Sequence, residues 1–325
     1  MQAVALLSIL NTFLKGCHPI HKAAHPAWSR LAAIAAKAEP TMRKAILRAI
    51  AQTVEGVDLA ALEKALAAKN ISAALKAIPW GQTGMDGVRA AYQQLVPLYE
   101  SAGKEAATQL TRSGLDMSFT LSNPRAVAWA DTVAATRVVQ VDEATVEALR
   151  GIITRGFTEG RPPREMARWI RGPKDAETGQ YRSSVIGLTD RQATAVVDYR
   201  ASLEADPMRP DTAQESAKLD RMAERYRDQL VLQRATTIAR TETITAANEG
   251  QLEAWMQARE SGLLRGNEQR VWLADSKACE ICLSIEEAGP VGFDEPFVDL
   301  NGDEYMAPTA HPNCECGMDL VIPSA

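Results

Sequence analysis

A chain of 325 residues with 46% hydrophobic and 24% charged residues is long enough for two or three domains and apolar enough for a substantial core, which excludes wholesale disorder. Aromatic residues make up only 5% while alanine is plentiful, so packed helices are expected rather than a β-sandwich. The net charge of −5 conceals an asymmetry: residues 1–140 carry 15 Lys/Arg against 9 Asp/Glu, residues 141–270 carry 20 against 21, and residues 271–325 carry 1 against 11. That excludes a uniformly basic, DNA-coating protein and indicates an acidic terminal module.

In Met1 to Leu14 the apolar run Ala3–Leu10 has no basic residue ahead of it, which fits a first helix better than a signal peptide. No stretch reaches the ~18 apolar residues of a membrane-spanning helix. Cys17 lies near His18, His21 and His25, but Pro19 and Pro26 interrupt helical spacing there, so the set reads as polar surface. Leu31, Ile34 and Ala35 share one helix face, and Ile46, Ile50 and Val54 share another; Pro40-Thr41 is expected to separate two helices. Asp58 and Asn70 are N-cap candidates for helices that begin at Leu59 and Ile71. Pro79 and Gly81–Gly87 mark a loop, and a longer helix over 88–111 is expected to be kinked or interrupted at Pro97. Residues 1–115 thus read as a helical N-terminal region.

The central region is taken as residues 116–269. Met117, Phe119 and Leu121 alternate with polar residues, and Asn123-Pro124 reads as a turn before Val127, Trp129 and Val133. Asp142 is placed to cap a helix with the apolar face Val146, Leu149, Ile152, Ile153 and Phe157. Gly160 stops that helix; Pro162-Pro163 starts a second, carrying Met166, Ala167 and Ile170, which Gly172-Pro173 closes. Residues 172–187 read as a loop. Thr189 with Gln192 forms a capping box for a helix through Val196, Val197 and Leu203, and residues 205–212 read as an exposed break. From about Thr212 a proline-free helix runs into the 250s past Met222, Tyr226, Val231, Ile238 and Leu252, with Gly250 its weakest point. The stretch Arg234–Glu242 reads as a solvated polar face held by Arg–Glu pairs.

From residue 270 to 325 the texture changes to a small acidic module. Val271–Leu273 and Met318–Ile322 read as strands, with Asp275, Cys279-Glu-Ile-Cys282 and His311-Pro-Asn-Cys314-Glu-Cys316 between them. A short module buries little apolar area and benefits from a staple. C-x2-C offers two thiolates from one turn, the usual first half of a structural zinc site, and His311, Cys314 and Cys316 offer a second. Tetrahedral Zn²⁺ takes four ligands, so four of Cys279, Cys282, His311, Cys314 and Cys316 are expected to hold it. Metal-free thiols and a disulfide between the pairs are the other readings. Catalysis by a Cys–His pair fits less well, since clustered cysteines are satisfied more naturally by a metal. The sequence contains no G-x-x-x-x-G-K-[ST], no G-x-G-x-x-G after a strand and no H-E-x-x-H. The fold class expected is mainly α: helical N-terminal and central regions, then a small α+β Cys/His module.

The order of these features carries a family resemblance. A helical hairpin with a Gly stop, an Ile-Ala-Arg240-Thr241-Glu242 helix, Asn248-Glu-Gly250, Trp255, a Trp-containing strand, Asp275, C-x-x-C and a terminal H-P-N-C-x-C resemble the phage Mu F-like head morphogenesis proteins, the minor head proteins of tailed phages. The likeness covers about 120–320 and is tightest over 231–317. It marks Arg240, Thr241, Glu242, Asp275 and Pro312 as signature positions beside the five candidate ligands. One departure is Glu315, where the family commonly has a basic residue. The resemblance implies a structural, non-enzymatic virion protein, associated with the portal inside the capsid and present in the host cytoplasm during assembly. It also implies a role in head morphogenesis and in DNA packaging or ejection. The implied partners are the portal protein, then major capsid or scaffolding protein, with packaged DNA touched through the basic N-terminal region. Two alternatives stay open: an internal DNA-contacting ejection protein, and a Cys/His-dependent hydrolase or nuclease.

Overall fold

A computed structural model describes residues 26–80, 93–172, 184–205 and 212–323, without the side chains of 26, 27, 131–142, 213 and 216. The order is α1 (Pro26–Glu55), α2 (Leu59–Ala67), α3 (Ile71–Lys76), α4 (Leu95–Arg112), α5 (Pro124–Thr158), α6 (Pro163–Arg171), α7 (Asp190–Glu204) and α8 (Ala213–Glu260). There follow β1 (Gln269–Leu273), α9 (Glu280–Ala288), β2 (Val291–Gly292), β3 (Phe297–Val298), β4 (Glu304–Tyr305) and β5 (Gly317–Val321). The expected class, mainly α with a small α+β terminal module, is the class observed. Cys17, His18, His21 and His25, the loop Gly81–Gly87 and most of the 172–187 and 205–212 breaks lie outside the described residues. No described helix is long and apolar enough to cross a membrane.

The chain divides into two compact units, each discontinuous in sequence: residues 1–43, 92–132 and 236–325 in one, 44–91 and 133–235 in the other. In the second unit the core is aliphatic. Leu62, Leu66, Leu149, Ile152, Ile153, Ile170, Leu188 and Val231 are buried together. Local chemistry sets the ends of its short helices. Asp58 and Asn70 accept hydrogen bonds from the amides of Ala61 and Ala73, at 3.0 and 2.9 Å. Thr189 and Gln192 make the full capping box at the start of α7. Gly160, at φ +67°, lies in the turn after α5, and Pro163 opens α6.

Two expectations fail, each for a physical reason. Pro40 does not separate two helices, because α1 runs through it. Pro40 is exposed while Leu31, Ala35, Met42 and Ile46 are buried, so the missing amide bond falls on the solvent side and packing holds both flanks. Asp142 does not start a helix either. Asn123 and Pro124 do, with the Asn123 side chain accepting from the Arg125 amide at 3.0 Å, and α5 continues past residue 142. Pro97 sits in the first turn of α4, where its missing N–H has no helical partner to lose; residues 88–92 of the helix expected there lie outside the described residues.

In the first unit two cores meet α8. Trp28, Leu31 and Ala35 of α1 pack with Ala102 of α4 and with Ile244 and Ala247 of α8. Leu252, Trp255 and Ala258 pack against the module's Trp272, Phe293, Phe297 and Met318. The module is built on an antiparallel sheet in the order β2-β1-β5, in which Trp272 pairs Met318 and Leu273 pairs Gly317; β3 and β4 form a separate hairpin. Arg270 is wholly buried and donates to the carbonyls of Met306 and Glu295 while lying over the Phe297 ring, so it ties the two loops to β1.

Candidate metal centre

The five candidate ligands come together around one sulfur. Cys279 is the N-cap of α9, and Cys282 lies one turn into it, so C-x2-C puts two thiols at a helix N-terminus, where the dipole favours thiolate. His311 Nε2 lies 3.1 Å from Cys279 Sγ and 3.2 Å from Cys282 Sγ, and Cys282 Sγ lies 3.6 Å from Cys314 Sγ. The donors form two triads that share Cys282, one with Cys279 and His311 and one with Cys314 and Cys316. All four thiols are free of disulfides. Cys279 is exposed, while Cys282, Cys314 and Cys316 are buried.

The surroundings suit a cation. His311 Nδ1 lies 2.9 Å from the Pro312 carbonyl, which can only accept, so Nδ1 carries the proton and the Nε2 lone pair faces the sulfurs. The Cys314 thiol is held far below its usual range by hydrogen bonds to Cys282 and Cys316, with backbone amides of Cys316 and Ala310 adding to the effect. The same contacts push Cys282 up, through Cys314 first, then Cys316 and burial. At Cys316 a lowering bond to Cys282 and one from the Asp275 amide are outweighed by Cys314 and burial. These opposed shifts show that the thiols do not ionise together unaided, and a divalent cation is the group that lets them do so. Imidazole and thiol donors at this spacing fit Zn²⁺.

The signature positions meet this cluster. The Asp275 carboxylate accepts from the Lys277 amide at 3.0 Å and its carbonyl from the Ala278 amide at 2.9 Å, which shapes the turn into Cys279. Arg240 lies 3.3 Å from Glu39 and 3.1 Å from Glu315. Glu315, the residue that departs from the family pattern, therefore points inward onto Arg240. Burial pushes its carboxyl up to about 6, against the pull of Arg240. The expectation of a solvated Arg234–Glu242 face is corrected, since Arg234, Arg240 and Glu242 are 7–9% exposed. Arg234 donates to Thr145 Oγ1 at 3.2 Å within the other unit. Short-range charge patterning shows Arg and Glu four or fewer residues apart; it does not show a carboxylate brought from 75 residues further on.

Sequence reasoning passed over Thr237, Thr245, Asn313 and Trp28 as parts of the site. Thr245 Oγ1 lies 2.9 Å from Thr309 Oγ1, and Asn248 Nδ2 donates to the Cys316 carbonyl at 3.1 Å. Trp28 Nε1 donates to the Glu315 carbonyl at 3.2 Å, and its ring covers Gly317 so closely that no side chain fits there. The available signal was the spacing of Thr237, Thr241 and Thr245, three hydroxyls at every fourth residue of a helix.

A long helix docked on a small Cys/His module is the architecture to be classified, and residues 212–318 match the family model of the Phage Mu protein F like proteins. Over that third of its length the chain is similar to the Mu F-like proteins. The matched stretch begins one residue before α8 and ends within β5, so it takes in α8 and the module's whole donor set. No curated protein and no solved structure matches the chain.

Proposed function

We propose that this protein is a minor structural component of a tailed-phage head, bound at the portal vertex on the inner side of the capsid. It acts in head morphogenesis and accompanies DNA during packaging or ejection. The observation that carries the reading is the family match over 212–318, which coincides with α8 and the Cys/His module. The module is its stapled end: four of Cys279, Cys282, His311, Cys314 and Cys316 hold Zn²⁺, which when bound cross-links the start of α9 to the loop before β5. The donor types, the Nε2 lone pair facing two sulfurs and the amide bonds to Cys314 and Cys316 support that assignment. The thiols are read as structural rather than nucleophilic because three of them are buried against one another.

Co-purification with the portal protein tests the reading. Retention on portal at low salt, together with defective procapsids when the gene is deleted, is the expected result. Clean separation together with normal procapsids overturns it. A second reading, contact with packaged DNA, is favoured by the basic balance of residues 1–140 and by the exposed Lys37, Lys44 and Arg48 of α1. Phosphate contacts give a mobility shift that weakens steeply with salt, and no shift at low salt rejects that reading.

A further inference from the structure

The loop that carries His311, Cys314 and Cys316 is gripped from outside the sulfur cluster. The Thr241 hydroxyl donates to the Thr237 carbonyl at 2.8 Å, so a lone pair is left to accept the Asn313 amide at 2.9 Å. Thr237 Oγ1 accepts from the Asn313 side-chain amide at 3.2 Å. The Thr245 hydroxyl donates to the Thr241 carbonyl at 2.8 Å, so across the 2.9 Å gap it is Thr309 that donates to Thr245. Asn248 holds the Cys316 carbonyl and Arg240 the Glu315 carboxylate. Thr237, Thr241, Thr245 and Asn248 follow one another at intervals of four, four and three, one stripe of α8. The residues they hold, Thr309, Asn313 and Cys316, flank or carry the loop's three donors.

Asn313 shows what the grip opposes. Its φ is +61°, in the left-handed region, within a turn closed by the Cys314 amide on the His311 carbonyl at 3.1 Å. A free chain seldom holds a non-glycine residue there. Two α8 threonines bond its amide and its side chain in that conformation.

We propose that this stripe is a positioning device for the metal, with Thr241 its principal positioning residue: α8 sets the left-handed turn at Asn313 before the metal arrives. The inference rests on the zinc reading above. Ordering a ligand loop ahead of binding removes that entropy from the cost of binding, and groups that orient metal ligands change metal affinity by about 10–100-fold.

The test uses the full chain, with Zn²⁺ affinity from chelator competition and the Co²⁺ absorption spectrum as a report on thiolate geometry. Thr241→Val keeps shape and removes the acceptor; Thr241→Ser restores it; Thr158→Val removes an exposed helix hydroxyl in the other unit that, among the described residues, bonds the Thr154 carbonyl. The expected result is one zinc per wild-type chain. Thr241→Val binds about 10–100-fold more weakly with a changed Co²⁺ spectrum, while Thr241→Ser and Thr158→Val match wild type. Wild-type affinity and spectrum in Thr241→Val overturn the positioning role and leave the zinc reading standing. A wild-type chain that takes up neither metal overturns both. Should Thr241→Val lose helicity, Thr245→Val, which releases Thr309 and the bond to the Thr241 carbonyl, is judged by the same two limits.

Discussion

The unit of residues 44–91 and 133–235 buries leucine, isoleucine and valine from short capped helices, whereas the module of residues 269–323 buries three thiols, an arginine and three aromatic rings. The first needs no directional bond in its interior: apolar area removed from water is additive, and a lost methyl lowers stability by its own share. The second is some fifty residues long with strands of two to five residues, too small for area alone, so sulfur, amide and guanidinium bonds fix its shape. Such bonds fail together, because one broken partner strands the others. The comparison teaches that the two regions should respond to damage in different ways, one by degrees and one all at once.

Removing the sulfur common to both triads is the strongest probe of that difference. Cys282→Ser is expected to abolish zinc uptake and open residues 270–323 to protease, while the aliphatic unit keeps its helical signal; structural zinc contributes ~10–16 kcal/mol where it is bound. Undiminished protease resistance in limited digestion would collapse the comparison, since the module would then stand on packing alone. Next in size is Leu149→Ala, a wholly buried side chain at the centre of the aliphatic core. It is expected to cost ~2–5 kcal/mol in denaturant melts and to leave zinc content unchanged. A parallel fall in zinc would show that the regions do not fail separately. Thr189→Ala should cost only ~1 kcal/mol, the worth of a capping box, and a shift in melting midpoint too small to detect would mean that α7 is held by packing rather than by its cap.

Much of the aliphatic unit was legible because its signals are local. Asp58, Asn70 and Thr189 mark helix starts by side-chain bonds to amides three positions on, and Gly160 and Pro163 mark helix ends by their backbone conformations. Pro40 misled for the complementary reason: what carries α1 past it is packing on the far side, which lies elsewhere in the chain. Asp142 misled because the helix it was expected to start had already begun at Pro124. In the module the ligand types and spacing were visible, as was the set of signature positions. The inward turn of Glu315, the burial of Arg240 and the role of Thr237 and Thr245 were not, because each depends on a partner 64 to 76 residues away.

Gly250, expected to be a soft spot of α8, touches the Tyr99 carbonyl of α4 with no side chain between, and a methyl there would overlap that oxygen. Glycine inside a helix costs ~1 kcal/mol relative to alanine, and here the expense secures a hard mechanical stop. Helix separation elsewhere depends on compressible side chains and drifts with each substitution; at this crossing it is set by two backbones, which sequence drift cannot thicken or thin. Asn248, which holds Cys316, lies two residues before that stop. The sulfur cluster is thereby gauged against a fixed surface, and α4 can vary along its exposed length without putting the ligand loop out of true.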